Sequence, residues 1–141
     1  MAGTAVSEIY CCKINIDNFY IYLASTKNGA VRIGMTLKNE GNCIAFFRKL
    51  FQGSGIYEDY RINAPLIDGV EAALYNKPLK SSIDFDLSIT SFQWLVLKAV
   101  KLIPYGKTKT YGELGHTLRK PGSARAVGQA VAKNPLPIIF P

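Results

Sequence analysis

The 141-residue chain holds few side chains that could make or break a covalent bond: three cysteines, Cys11, Cys12 and Cys43, and one histidine, His116. A cysteine becomes a nucleophile only when a base, a cation or a metal holds it as thiolate, and a zinc site needs Cys and His at close, regular spacing. Cys11 and Cys12 are adjacent, Cys43 stands alone, and there is no Cys-x-x-Cys or Cys/His cluster. The spacing supports neither a disulfide framework nor a metal site, so no metal is expected. Cys12 shares a strand face with Tyr10, Ile14 and Ile16, which makes it a small core side chain, while Cys11 points the other way. Cys43 opens a predicted helix, Cys43 to Phe51, whose Ile44, Phe47, Leu50 and Phe51 recur at helical spacing. His116 lies in the middle of another predicted helix and reads as surface or packing.

The remaining chemistry is charge. The formal net charge is +7, and residues 92–141 carry all of it: Lys98, Lys101, Lys107, Lys109, Arg119, Lys120, Arg125 and Lys133 against Glu113 alone. The first 91 residues hold nine basic and nine acidic groups and are neutral. So sharp a change marks a domain boundary, placed here between 1–88 and 89–141. A basic segment of that size faces a polyanion, because Lys and Arg displace the counterions condensed on phosphates. A solvated basic face without a partner is the competing reading.

Two kinds of element must position these groups. In residues 1–88, β-rich runs from Glu8 to Ile16 and Phe19 to Thr26 flank a turn at Asp17-Asn18. Asn28-Gly29 signals a second hairpin into residues 30–37, where Val31, Ile33, Met35 and Leu37 alternate with Ala30, Arg32, Gly34 and Thr36. Three antiparallel strands are expected, then the helix at Cys43, a break at Gly53-Ser54-Gly55, and a short helix around Leu66 to Tyr75. Residues 89–141 are expected to be mainly helical. Phe92, Leu95, Val96, Ala99, Val100 and Ile103 form one apolar stripe of a helix that starts at Ser91 and ends before Pro104, with a turn at Tyr105-Gly106. Thr110-Tyr111-Gly112-Glu113 is a capping box opening a helix to about Leu118. Lys120-Pro121-Gly122 interrupts it, Ser123 is placed to cap a further helix over Ala124 to Lys133, and Asn134-Pro135 stops that one. The fold class is therefore α+β: a small N-terminal domain with a three-stranded antiparallel sheet and helices, then a mainly helical domain with a helix-turn-helix.

The last of these helices is unusual. Val127, Val131, Ala130 and Ala124 lie on one side, and Arg125, Gly128, Gln129 and Ala132 on the other, so its outer face is one arginine among small residues. Two readings stand. A face this bare can press its backbone against a narrow groove of nucleic acid, with Arg125 in the first turn, or the helix packs tightly on another helix and Arg125 is merely exposed.

Three blocks carry a family resemblance: Ile103-Pro104-Tyr105-Gly106-Lys107-Thr108-Lys109-Thr110-Tyr111-Gly112-Glu113-Leu114, Ser123-Ala124-Arg125-Ala126-Val127-Gly128-Gln129-Ala130, and Asn134-Pro135-Leu136-Pro137-Ile138-Ile139-Phe140-Pro141. In order and spacing this resembles the C-terminal domain of the O6-alkylguanine-DNA alkyltransferases, the methylated-DNA–protein-cysteine methyltransferases. The resemblance implies a monomer that repairs double-stranded DNA containing O6-alkylguanine, or O4-alkylthymine, by irreversible transfer of the alkyl group to a cysteine, with no cofactor. It implies that Arg125 fills the space left by a nucleotide rotated out through the minor groove, that Tyr111 crowds the target phosphate, that Asn134 is a hinge, and that Pro137 and Tyr111 line the alkyl pocket. Thr110, Ala124, Gly128 and Lys133 join Arg125 and Tyr111 on the implied DNA face. Asn134 also reads locally as a helix C-cap before proline.

In the family the motif continues past the final proline as Pro-Cys-His-Arg-Val, and that cysteine accepts the alkyl group. Residues Ile138 to Phe140 are expected to be the buried strand that delivers it. An apolar strand ending on a charged carboxylate is costly to bury, so the protein is expected to continue beyond Pro141. The 141-residue polypeptide alone is expected to be inactive, and a non-catalytic protein that binds alkylated DNA is the alternative. No segment reaches the length of a membrane span, and the N-terminus lacks the regions of a signal peptide, so no membrane is expected and the protein is placed in the cytoplasm, or in the nucleus of a eukaryote.

Overall fold

A computed structural model describes residues 8–104 and 106–141. The N-terminal residues and Tyr105, on which the signal-peptide and turn readings partly rest, lie outside the described residues. The chain is mixed α+β, with a four-stranded sheet and five helices among the described residues, and it divides into two compact units after Leu87.

The first unit is built on the two expected hairpins. Strands β1 (Ile9–Ile16), β2 (Phe19–Thr26) and β3 (Gly29–Thr36) pair antiparallel. Asp17 takes a positive φ of 53° in the first turn, a conformation that Asp tolerates because its short polar side chain can bond locally. The sheet is not three-stranded. A fourth strand, β4 (Ile56–Glu58), lies parallel to β1 and gives the order β3-β2-β1-β4. Three residues are too few to show a period of two, which is why the sequence pattern hides it.

Two apolar layers follow from strand alternation. On one face Ile9, Cys11, Tyr22 and Ala24 are buried with Cys43 and Phe47 of α1 (Cys43–Arg48). Residues of the opposite parity, Cys12, Ile21 and Leu23, are also fully buried. The expected single apolar face of β3 is broken. The register shifts at Ala24/Ser25, so Val31 packs with the α1 cluster while Ile33 pairs with Leu23. Farther along this edge strand Met35 is exposed, and beyond its end Leu37 is 70% exposed. Helix α1 ends three residues before Phe51, Asn42 capping it through Oδ1, which accepts from the Ala45 N–H. Asn63, fully buried ahead of α2 (Ala64–Leu74), donates from Nδ2 to Tyr10 O and Asp59 O and accepts from the Ser25 hydroxyl, so its amide satisfies the polar groups it buries.

The second unit contains α3 (Ser91–Lys101), α4 (Tyr111–Thr117) and α5 (Ala124–Ala132). Thr90 and Gln93 form a capping box ahead of α3 that the apolar stripe did not reveal. Val96 and Val100 are buried with Leu114, Val127 and Ala130, and Phe92, Ala99 and Ile103 pack against them. Leu95, assigned to the stripe, is instead 45% exposed, and Leu97 is buried. Among the described residues no helix is long and apolar enough to cross a membrane.

A close contact in the first unit is testable. The rings of Tyr22 and Phe46 stack at 4.1 Å, and the Phe46 ring lies where a side chain on Gly34 would stand, with Cε1 2.7 Å from an added Cβ. Gly34→Ala is therefore expected to destabilise the first unit by about 1–3 kcal/mol through overpacking, read as a lower urea midpoint with unchanged slope. An unchanged midpoint would remove Phe46 from that position.

Candidate nucleic-acid interface

The three thiols are set by the first sheet. Cys11, Cys12 and Cys43 are free and buried, and the Cys11 thiol donates to the Cys43 sulfur at 2.8 Å. Burial pushes all three toward the protonated form: Cys12 up to about 12, Cys11 higher still with help from its bond to Cys43, and Cys43 upward chiefly by desolvation. A thiol held this way is a poor nucleophile. His116 is exposed on α4, far in sequence from any of them.

The second unit assembles the other candidates. Thr110 caps α4: its Oγ1 accepts from the Glu113 N–H at 3.0 Å, and the Thr110 N–H donates to Glu113 Oε1 at 3.1 Å. Hydrogen bonding to the carboxyl from the Thr110 N–H, and less from its hydroxyl, holds Glu113 below the usual carboxylate range. Tyr111 follows at once, in the first turn of α4, and its ring lies over Gly128 of α5, with Cε2 3.0 Å from where a β-carbon would stand. Gly128 is thus part-covered by an aromatic ring and does not lie on an open outer face, which corrects the sequence reading. Tyr111 itself stays 48% exposed.

The turn from α4 to α5 is tight for a second reason. Gly115 is buried, and an added β-carbon would meet Ser123 Oγ at 2.7 Å and Lys120 O at 3.1 Å. Ser123 does not cap α5 with its side chain. Its hydroxyl donates back to Lys120 O, closing the turn in which Gly122 takes a φ of 83°. Gly115 was not singled out from sequence, where a glycine inside a helical run reads only as a weak helix former. Arg125 is exposed in the first turn of α5, three residues before Gly128 and so on its side of the helix, and it has no hydrogen-bond or ion-pair partner among the described residues. Ala124 and Lys133 are exposed as well. Tyr111, Gly128 and Arg125 are thus brought to one place, while Thr110 spends its hydroxyl on the helix cap.

After α5 the chain folds back in a loop, and the expected strand over Ile138 to Phe140 is absent. The Phe140 N–H donates to Leu136 O at 3.1 Å, and Ile138 sits at a φ of 80°. Asn134 spans this loop: its Oδ1 accepts from the Leu136 N–H at 2.9 Å and its Nδ2 donates to Phe140 O at 2.5 Å. Its side chain reaches forward into the loop, not back to cap α5. Leu136, Ile139 and Phe140 are buried, so the expected burial is present without the strand, and Pro137 and Ile138 are partly exposed at the bend. Among the described residues no group of three or more His, Cys, Asp or Glu could hold a metal ion.

Two outcomes check this geometry. A raised thiol pKa favours the folded state while the thiol is protonated, so that contribution is complete below the unfolded value near 9 and is lost as pH rises toward the folded value of about 12 for Cys12. Native protein at pH 8 is expected to leave Cys11, Cys12 and Cys43 unmodified by a thiol reagent until it unfolds, and alkaline unfolding should set in above about pH 9. Rapid titration of any of the three under native conditions would contradict their burial. Gly128→Val is expected to displace the Tyr111 ring, visible as a shift of its ring protons, while Gly112→Ala, with only Thr110 Oγ1 at 3.8 Å, leaves it in place.

Comparison with known proteins agrees with these features. The family model described as 6-O-methylguanine DNA methyltransferase, DNA binding domain, matches residues 91–141. The inducible methylated-DNA–protein-cysteine methyltransferase of Bacillus subtilis is 32% identical over 133 residues, covering 94% of this chain and 74% of that protein. The methylated-DNA–protein-cysteine methyltransferase of Mycobacterium tuberculosis is 35% identical over 115 residues, covering 76% and 68% respectively. The crystal structure of the M. tuberculosis O6-methylguanine methyltransferase aligns with a TM-score of 0.71 at 28% identity, over 94% of this chain and 75% of that one. The structure of the M. tuberculosis protein OGT in complex with DNA aligns at 0.69 with 26% identity, over 94% and 74%. Similarity that runs through both units, at this identity and coverage, establishes descent and not just a shared DNA-binding module: the chain belongs to the methylated-DNA–protein-cysteine methyltransferase family.

Proposed function

We propose that the chain acts in repair of O6-alkylguanine in duplex DNA, with α4 and α5 as a helix-turn-helix that enters the minor groove. The observation that carries this reading is Arg125: an exposed, unpartnered guanidinium on a helix of small residues, beside the Tyr111–Gly128 contact, in the half of the chain that holds all the net charge. A guanine alkylated at O6 is stacked inside the duplex, so it must rotate out at a cost of a few kcal/mol. Arg125 takes the vacated space and bonds the orphaned base, while Tyr111 presses on the target phosphate to favour rotation. Lys107, Lys109, Arg119, Lys120 and Lys133, all exposed, supply sequence-independent attraction to phosphates. Asn134 ties α5 to the loop bearing Pro137, where the alkyl pocket forms.

The transfer is a single displacement. A cysteine thiolate attacks the alkyl carbon, the carbon–O6 bond breaks, its electron pair returns to the guanine, which takes up one proton, and a thioether forms that is not reversed. Cys11, Cys12 and Cys43 are not that nucleophile, since each is buried and held as a thiol. The same observation favours a second reading, a protein that binds alkylated DNA without accepting the group. Transfer of a labelled O6-methyl group from a duplex to a cysteine of the protein supports the first reading, and a duplex that is bound but keeps its methyl group supports the second.

If about four of the cations meet phosphates, affinity for duplex DNA is expected to fall about a hundredfold between about 50 and 200 mM salt. Salt-insensitive binding would count against the interface. Arg125→Ala should reduce the preference for an O6-methylguanine duplex over an undamaged one by about tenfold or more, with a smaller loss on undamaged DNA, and equal losses on both would reject its role as the finger. A duplex with a radiolabelled O6-methyl group should leave no label on Cys11, Cys12 or Cys43 after proteolytic mapping. Stoichiometric label on any of them would overturn their exclusion.

A further inference from the structure

The loop after α5 is held from two sides. Asn134 closes it from within, and α3 holds it from outside through Phe140. The Trp94 and Phe140 rings meet edge to face, with centroids 6.2 Å apart and planes at 85°. The Lys101 ammonium stands 5.6 Å from the centre of the Phe140 ring, and the Lys98 ammonium 5.5 Å from that of Trp94. Two cations and two rings of the second unit thus form one stack along α3, which places the Phe140 ring in a single setting. The loop needs such a hold. Ile138 is β-branched and sits at a φ of 80°, a strained conformation that persists only where the surroundings fix it.

We propose that Trp94, with Lys101, is a positioning residue for recognition of the alkylated base: by fixing Phe140 it sets the bend at Pro137 and Ile138 against which the extruded base is received. The inference rests on the proposed reading of the second unit and adds a specificity determinant on α3, a helix that carries none of the residues assigned there. Trp94 acts as a positioning residue, through its edge-to-face contact with Phe140. Loss of the ring lets Phe140 rotate and Ile138 relax toward an ordinary β conformation, so the bend loses the shape that distinguishes an alkylated from an unmodified guanine. Attraction to the phosphate backbone, which comes from the exposed lysines and arginines, does not pass through this stack.

The test compares affinities of the full chain for two duplexes that differ only in one O6-methylguanine. Trp94→Ala is expected to reduce the ratio of the two affinities by about tenfold, and Trp94→Phe, which keeps an aromatic edge, to restore it to within about twofold. Phe140→Leu should lower the ratio similarly, and the double variant should be no worse than either single one, because both break the same contact. Melting curves taken alongside identify any variant that has lost its fold, and Trp94→Phe then carries the comparison with Phe140→Leu alone. A Trp94→Ala chain that is folded and keeps the wild-type ratio would overturn the inference while leaving the proposed function standing. Additive losses in the double variant would overturn it too. A wild-type chain with no preference for the damaged duplex would bring down the functional reading and this inference together.

Discussion

A primary amide carries both a donor and an acceptor, and Asn134 uses both within one loop. Its oxygen takes the Leu136 N–H and its NH2 group gives to the Phe140 carbonyl, so two backbone groups four residues apart are fixed on one rigid plane. Aspartate offers no donor for the carbonyl, leucine neither partner, and glutamine places the amide one carbon too far away. Leu136 and Phe140 are buried, and the amide satisfies one backbone group of each, where an unpaired N–H or C=O would cost about as much as a side chain gains. Everything proposed for the pocket depends on that closure.

The nucleic-acid face is built on the opposite principle, the removal of side chains. Gly128 admits the Tyr111 ring and Gly115 admits Ser123, so α4 and α5 come together with little between them. What remains on the surface is one long cation in the first turn of α5, between small neighbours. Binding energy and discrimination are thereby assigned to different groups. In the proposed reading, the exposed cations between Lys107 and Lys133 provide attraction that any duplex satisfies, and a few fixed groups decide which nucleotide is received.

Signals that are local in the chain were legible in the sequence. The Thr110–Glu113 box, the hairpin turns at Asp17 and Gly29 and the break at Gly122 each depend on neighbours within three or four residues. Features that depend on distant partners were not. Strand β4 is too short to have a period, and its place beside β1 is decided by tertiary pairing. Val31 leaves its expected face because the register shifts against β2. Ser123 looked like a cap, yet its hydroxyl turns back to Lys120 O because Gly115 leaves room for it there. The terminal apolar run was correctly read as buried and wrongly read as a strand. Side-chain type reports burial, whereas the chain path here is dictated by the amide of Asn134, a polar residue outside the run. For the proposed nucleic-acid face, Arg125 stood out by type and position and Tyr111 only through the family resemblance, while the cover of Gly128 by Tyr111 required the packing of two helices.

Trp94 is the single tryptophan of the chain, and it rests against Phe140 with a lysine ammonium near its own ring. The protein therefore contains a built-in optical probe. Light absorbed at the red edge of the aromatic band excites this one indole, and its emission depends on the electric field of Lys98 and on contact with the loop that Asn134 closes. Any event that shifts the bend, whether a bound duplex, an altered amide or a change in salt, is converted into a change of colour or intensity without a label being attached.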